Sequence, residues 1–310
     1  MIRPYTDADE DDVLDLLALG LGKQVDDRYR AFFRWKHLAN PFGRSSIWLG
    51  EREGRLVGVR SFLRWRFVDP EARPVEAARA VDTVTHPDHQ GQGIFRRLTL
   101  HGLDALRNEG VDFVFNTPND QSRPANLTLG WEVEGRIPMV VRPRSPGSLW
   151  RMARARTAAE VWSRDVAVGE PIGLVLDGMG QLTPSAVPSR LVTDRSRDFL
   201  KWRYEGCPSV ASRALPVEGG AVVVRFRRRG GALECTVGDV VGKVDPAAAG
   251  RAARSAMREV GADYAIATAG TPIRGMVTAP GLGPLQTRRA VSDDPSRLPL
   301  ALALGDVEMF

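Results

Sequence analysis

Cysteine is almost absent from this chain: Cys207 and Cys235 are the only two in 310 residues. Two distant cysteines with no metal-ligand spacing exclude a disulfide-built scaffold and a zinc framework, and they fit a reducing compartment. No metal site is expected. No stretch reaches the roughly 18 apolar residues of a membrane-spanning helix, and Met1–Thr6 lacks the apolar core of a signal peptide. The expectation is a soluble, cytoplasmic protein with no membrane partner. The net charge of +5 and pI near 9.6 raise the question of nucleic acid, but basic and acidic residues are interspersed. The densest basic run, Arg225–Arg229, reads as a solvated strand end entering a Gly230-Gly231 turn. With no zinc finger and no aromatic RNA-binding signature, no nucleic-acid partner is expected.

Hydrophobic residues make up 43% of the chain, enough for ordinary cores, and the length suits two domains. The most informative stretch is His86-Pro87-Asp88-His89-Gln90-Gly91-Gln92-Gly93-Ile94-Phe95. An apolar, β-branched run, Ala80–Thr85, precedes it, and Phe95, Leu98, Gly102 and Leu106 follow on one helical face. Gly110 stops that helix, and Val111–Phe115 reads as a second buried strand. A glycine-bearing loop thus joins a strand to a helix N-terminus, where converging N–H groups and the helix dipole suit a phosphate or diphosphate. No Gly-Lys-Ser/Thr follows, and the spacing is not G-x-G-x-x-G, so neither a Walker loop nor a dinucleotide fingerprint is present.

The stretch resembles the acyl-CoA loop of the GCN5-related N-acetyltransferases (GNAT), Gln/Arg-x-x-Gly-x-Gly/Ala. Gln90 and Gly93 match it, and Phe95 departs from the small residue. Downstream, Asn119, Asn126 and Leu127-Thr128-Leu129-Gly130-Trp131 resemble the family's closing segment, and two-domain members of the enhanced-intracellular-survival type are also similar. The resemblance implies acetyl-CoA as co-substrate. Its diphosphate would be held by Gln90, Gly91, Gln92, Gly93, Ile94 and Phe95, and its pantetheine arm by Val84 and Thr85, with Asn119 nearby. It further implies transfer of the acyl group to a small-molecule amine by direct attack in a ternary complex, since neither cysteine lies within 78–131. A non-catalytic acyl-CoA-binding or regulatory protein on the same fold is the alternative.

An internal repeat bears on the domain plan. Asp27–His37 (DRYRAFFRWKH) recurs as Asp194–Tyr204 (DRSRDFLKWRY), and Pro41 recurs as Pro208, all at an offset of 167. Gly110–Thr117 is echoed by Gly261–Thr268, and Asp82 by Asp239. Between strand and helix, the second copy has only Lys243-Val244-Asp245-Pro246-Ala247, six residues short, where the first has its glycine loop. The expected fold is α/β, mixed α+β sheets in tandem GNAT-like domains, the second degenerate. Its parts are a catalytic domain over 1–145, a connection over 146–189 holding a helix at Leu149–Trp162, and a second domain over 190–310 without the phosphate loop. Trp131–Val141 is expected to close the first sheet, and the aromatics Phe32, Trp35, Phe199 and Trp202 to pack in cores.

For chemistry, Asp82 is an acid inside an otherwise apolar strand. It reads either as a general base or substrate anchor, or as a paired structural carboxylate, the latter favoured by its echo Asp239. Asn126 occupies the position where family members often carry a tyrosine; it can donate a hydrogen bond but no titratable proton. His86 and His89 flank the loop and read as turn-packing residues. The chain ends on Leu304-Gly305-Asp306-Val307-Glu308-Met309-Phe310. A last strand around Leu298–Leu304 is expected to join the second sheet, with Asp306, Glu308 or the Phe310 carboxylate either near the acceptor or simply closing the sheet.

Overall fold

The computed structural model describes residues 1–22, 24–155, 157–180 and 187–307. The chain opens with β1 (Ile2–Pro4), α1 (Glu10–Leu21), α2 (Asp27–His37), β2 (Ser46–Arg52), β3 (Arg55–Val68) and β4 (Pro74–Thr85). It continues with α3 (Ile94–Asn108), β5 (Phe113–Asn116), α4 (Arg123–Thr128), β6 (Glu132–Arg136), β7 (Met139–Pro143) and α5 (Pro146–Arg154). Next come β8 (Glu170–Pro171), α6 (Ile172–Gly178), β9 (Leu191–Thr193), α7 (Arg197–Tyr204), β10 (Arg213–Val217), β11 (Gly220–Arg229) and β12 (Ala232–Gly242). Last are α8 (Pro246–Val260), β13 (Tyr264–Thr268), β14 (Val277–Ala279), β15 (Leu285–Ala290), β16 (Leu300–Ala301) and α9 (Leu304–Val307). They form two compact units, Met1–Gly135 with Leu285–Pro299, and Arg136–Pro284 with the residues from Leu300 onward.

In the first unit the strand order is β1-β2-β3-β4-β5-β15-β6. Strand β5 runs parallel to β4 only from Ala77 to Arg79. Beyond that point β4 continues to Thr85 without β5 beside it, so the sheet splays open. One face is covered by α1 and α2, whose Val13, Leu14, Leu17 and Phe33 pack on Ile47, Leu49, Val59 and Val84. Helix α2 starts cleanly because the Asp26 carboxylate accepts a hydrogen bond from the Tyr29 N–H at 2.7 Å. Helix α3 covers the other face, its buried Leu103 and Leu106 meeting Phe62, Ala78 and Val114. Its close approach depends on Gly102, where an added Cβ would lie 2.4 Å from the Phe62 ring.

The second unit has the order β14-β7-β13-β12-β11-β10-β8. Helix α8 packs Ala249, Ala253, Ala256 and Met257 on Val222, Val224, Phe226 and Val237. As in the first unit, the parallel pair β12–β13 lasts only three residues, Glu234–Thr236, before the strands part. The four repeated aromatics are buried, with ring centroids 5.3 Å apart in Phe32–Trp35 and 5.7 Å apart in Phe199–Trp202.

Several expectations are corrected. Trp131–Val141 does not close one sheet: β6 ends at Arg136 in the first, while β7 pairs with β13 and β14 in the second. Strand β15, from the far end of the chain, takes the place beside β5 instead. The domain boundaries read at 145 and 190 therefore differ from the compact units, and α5, β8 and α6 of the expected connection belong to the second unit. The helix expected over Leu149–Trp162 spans Pro146–Arg154, because Ala155 leaves helical geometry at ψ 68°. The last strand, β16, pairs in parallel with β9 rather than joining the seven-stranded sheet. The basic run is only partly solvated: Arg225 and Arg227 are buried, and Arg227 Nε donates to Glu234 at 2.7 Å. Replacing Gly102 with alanine is expected to lower stability by about 1–3 kcal/mol through overpacking against Phe62, despite alanine's better helix propensity. A urea midpoint that rises instead would disprove this account of α3 docking.

Candidate active site

The loop between β4 and α3 starts at His86, whose Nδ1 accepts from the Asp88 N–H at 3.3 Å, and makes one tight turn over Pro87–His89. Gly91 and Gly93 both sit at φ 71°, the left-handed region that β-carbon-bearing residues avoid. Gly93 is the N-cap of α3 and brings no capping side chain, and the first turn carries no acid. The first intrahelical bond is Arg97 N to Gly93 O at 3.1 Å, so the N–H groups of Ile94, Phe95 and Arg96 precede the ladder. Gln92 accepts from Arg52 Nη1 at 2.6 Å, and Arg97 Nη1 donates to the Gln92 carbonyl at 3.0 Å. Exposed Arg96 and Arg97 add positive charge to the helix-dipole end. Gln90 is exposed, Ile94 is buried in the core below, and Val84 packs on α1 while Thr85 ends the strand. Asn119 stands before α4, its side-chain oxygen accepting from the Ser122 N–H at 2.8 Å and from the Ser122 hydroxyl at 2.9 Å.

Three residues before the end of β4, Asp82 is the extra residue of a β-bulge: Arg60 faces Thr83 and Ser61 faces Val81. Its φ of 31° is strained for a non-glycine residue. Its Oδ2 accepts from Lys36 Nζ and from His37 Nε2, each at 2.7 Å. Burial alone would raise the Asp82 pKa, but Lys36 and His37 outweigh it and hold the carboxyl well below the usual carboxylate range. Burial likewise pushes the His37 imidazole down, against the pull of Asp82. A neutral imidazole beside an ionised carboxylate carries its proton on Nε2, so His37 Nδ1 accepts from the Ser45 hydroxyl, 2.9 Å away.

A GNAT acetyltransferase domain model matches residues 1–133. That segment is similar to the GNAT family. Over 97 residues it is 31% identical to the L-amino acid N-acyltransferase MnaT of Escherichia coli, covering 30% of this chain and 54% of that enzyme. Over 84 residues it is 36% identical to the mycothiol acetyltransferase of Thermomonospora curvata, covering 27% of this chain and 26% of that one. The matches therefore span about half and a quarter of the lengths of these relatives. A GCN5-related N-acetyltransferase from Anabaena variabilis has the same fold, with a TM-score of 0.63 at 12% identity over 94% of this chain and 73% of that one. Eis1 from Mycobacterium abscessus follows at TM-score 0.55 and 14% identity, over 94% and 73%.

Within this GNAT frame the residues of the loop share one strand–loop–helix junction, with Asp82 on the strand leading into it. Asn126 is 1% exposed on α4, and neither of its amide atoms has a partner among the described residues. Asp306 is fully buried and accepts from Arg195 at 2.9 Å and from the Ala303 N–H at 2.8 Å. Glu308 and Phe310 lie outside the described residues. The second unit repeats the strand-to-helix tie, with Tyr204 at the position of His37 donating to Asp239 at 3.2 Å, while Arg195 also pairs with Asp239 at 2.7 Å. Its α8, however, is capped by its own acid, since Asp245 accepts from the Ala248 N–H at 2.8 Å. That carboxylate occupies the position an anion would take.

Lys36, His37 and Arg60 were not singled out from the sequence. His37 could have been, because Phe33 and His37 at i, i+4 share a face, their rings 4.7 Å apart. Because His37 is neutral in the fold, stability is present above its unfolded value near 6.5 and is lost as pH falls below it. Thermal melts of the wild type should drop between pH 7 and 5, and His37→Gln should flatten that slope. A wild-type profile level across this range would contradict the assignment of a neutral His37.

Proposed function

We propose that the first unit is an acyl-CoA-dependent N-acyltransferase, with acetyl-CoA as its simplest donor, acting on a small-molecule amine by direct attack. The observation that carries this is the contrast between two equivalent helices: α3 opens on an uncapped glycine turn ringed by arginines, whereas α8 is closed by Asp245. The residues fit a CoA thioester. Gly91, Gly93 and the first-turn N–H groups of α3 would hold the diphosphate, and Gln90 and Gln92 would border it. The β4 edge at Val84 and Thr85, where β5 has parted from it, would offer backbone groups to the pantetheine arm, with Asn119 and α4 opposite.

A bound CoA thioester supplies an activated acyl carbon and a thiolate leaving group. Asp82, whose Oδ2 accepts from Lys36 and His37, would anchor the acceptor ammonium and take up its proton. Lys36 and His37 keep that carboxylate ionised and aimed. Asn126 would donate a hydrogen bond to the departing sulfur without supplying a proton, so solvent reprotonates it. The low basicity of Asp82 favours one competing reading, a non-catalytic acyl-CoA-binding protein, which an absence of turnover over a broad amine panel would establish.

Acetyl-CoA at a hundredfold excess over its Kd should stabilise the folded protein by about 2.7 kcal/mol. Gly93→Asp should remove that shift by placing a carboxylate where phosphate belongs. A wild-type melting curve indifferent to every CoA thioester would refute the reading. Asp82→Asn should lower turnover by roughly 10²–10⁴-fold while leaving thioester affinity nearly unchanged; a fully active variant would confine Asp82 to structure.

A further inference from the structure

Arg60 of β3 is a buried guanidinium with no counter-charge among the described residues. The residue is 2% exposed, and no described carboxylate pairs with it. Its surroundings are aromatic: the guanidinium carbon lies 4.9 Å from the Phe62 ring, 5.2 Å from Phe95 and 6.0 Å from Trp131. Nε and Nη2 both lack hydrogen-bond partners among the described residues. These two atoms form one side of the guanidinium fork, the side that engages both oxygens of a carboxylate at once. Burying a cation without a partner costs several kcal/mol, more than cation–π contacts return. Burial accordingly pushes its pKa down to about 9.

The position of this fork is specific. Arg60 lies directly opposite Thr83, the residue after the Asp82 bulge, and under Phe95 in the first turn of α3. Phe95 is also the residue that departs from the family's small one, and its ring closes the cage. Asn126, another buried side chain without a partner among the described residues, is joined by its backbone carbonyl to the N–H of the cage residue Trp131 at 3.3 Å. The face also matters. Asp82 turns to α2, whereas Arg60 turns to α3, the helix that would cradle the donor.

Resting on the acyl-CoA reading above, we infer that Arg60 receives a carboxylate at the far end of the donor's acyl group. The preferred donor would then be the CoA thioester of a short dicarboxylic acid, such as succinyl-CoA. The carboxylate is a spectator in transfer: the amine nitrogen bonds to the thioester carbon, the carbon–sulfur bond breaks, and CoA leaves as its thiolate. A phosphate dianion does not fit an aromatic cage around one cation, and the diphosphate has its own place at the solvent-exposed loop.

The test is direct binding by calorimetry, without acceptor, of succinyl-CoA and of butyryl-CoA, its uncharged counterpart in length, to the full chain. The wild type should bind succinyl-CoA about 10- to 100-fold more tightly, the range of a charge-assisted hydrogen-bonded pair. Arg60→Met should bring the ratio to about one. Arg60→Lys, which keeps the charge but not the fork, should fall between and serves if Arg60→Met fails to fold. Equal affinities in the wild type, or a preference that survives in both variants, would overturn the inference. So would Arg60 variants that lose affinity for a carboxylated acceptor while keeping the succinyl preference. If no thioester binds at all, the acyl-CoA reading itself fails; if acetyl-CoA binds with no preference for a carboxylate, only the role of Arg60 does.

Discussion

A carboxylate cannot be placed inside a sheet without cations to meet it, and much of the first unit is arranged around that demand. Asp82 sits in the bulge of β4, and two consecutive residues at the end of α2 close on one of its oxygens. This tie fixes where α2 ends, which in turn sets the lie of Phe33 on the sheet and of Ser45 beside His37. The same demand is met with different chemistry in the second unit, where Tyr204 and Arg195 serve Asp239. The pairing recurs in the unit whose strand-to-helix connection is six residues shorter, which marks it as a structural clamp.

The two helix starts show how little separates an open helix N-terminus from a closed one. Both α3 and α8 are fifteen residues long and connect the two strands of a splayed parallel pair. In one, left-handed glycines leave the first N–H groups facing outward. In the other, six fewer residues bring Asp245 to the cap, and the helix satisfies itself. The dipole is the same in both; what differs is who answers it.

The loop and the repeat were legible because their signals are local: glycine spacing, turn residues and helical periodicity report on neighbours in the chain. Asp82 stood out as an acid among apolar residues, but its partners did not, because Lys36 and His37 reach it only through the docking of α2. Arg60 was invisible for the same reason, lying in a strand whose alternation reads as ordinary until the cage of Phe62, Phe95 and Trp131 is assembled. The strand exchange was hidden more deeply. β7 and β15 are both short strands of five and six residues, and nothing in their residues says which sheet they join.

That exchange governs the order in which this protein can be made. The place beside β5 is filled by Leu285–Ala290, so the first sheet waits for residues synthesised near the end of the chain. The second sheet, by contrast, already holds β7 from the early part. A ribosome releasing this chain from its N-terminus exposes the edge of β5 for most of translation, and the long-range pairing that covers it is the slow kind. The segment matched by the family is therefore a unit of inheritance but not a unit of folding. The sheet that carries the glycine loop is completed only by a strand from the far end of the sequence.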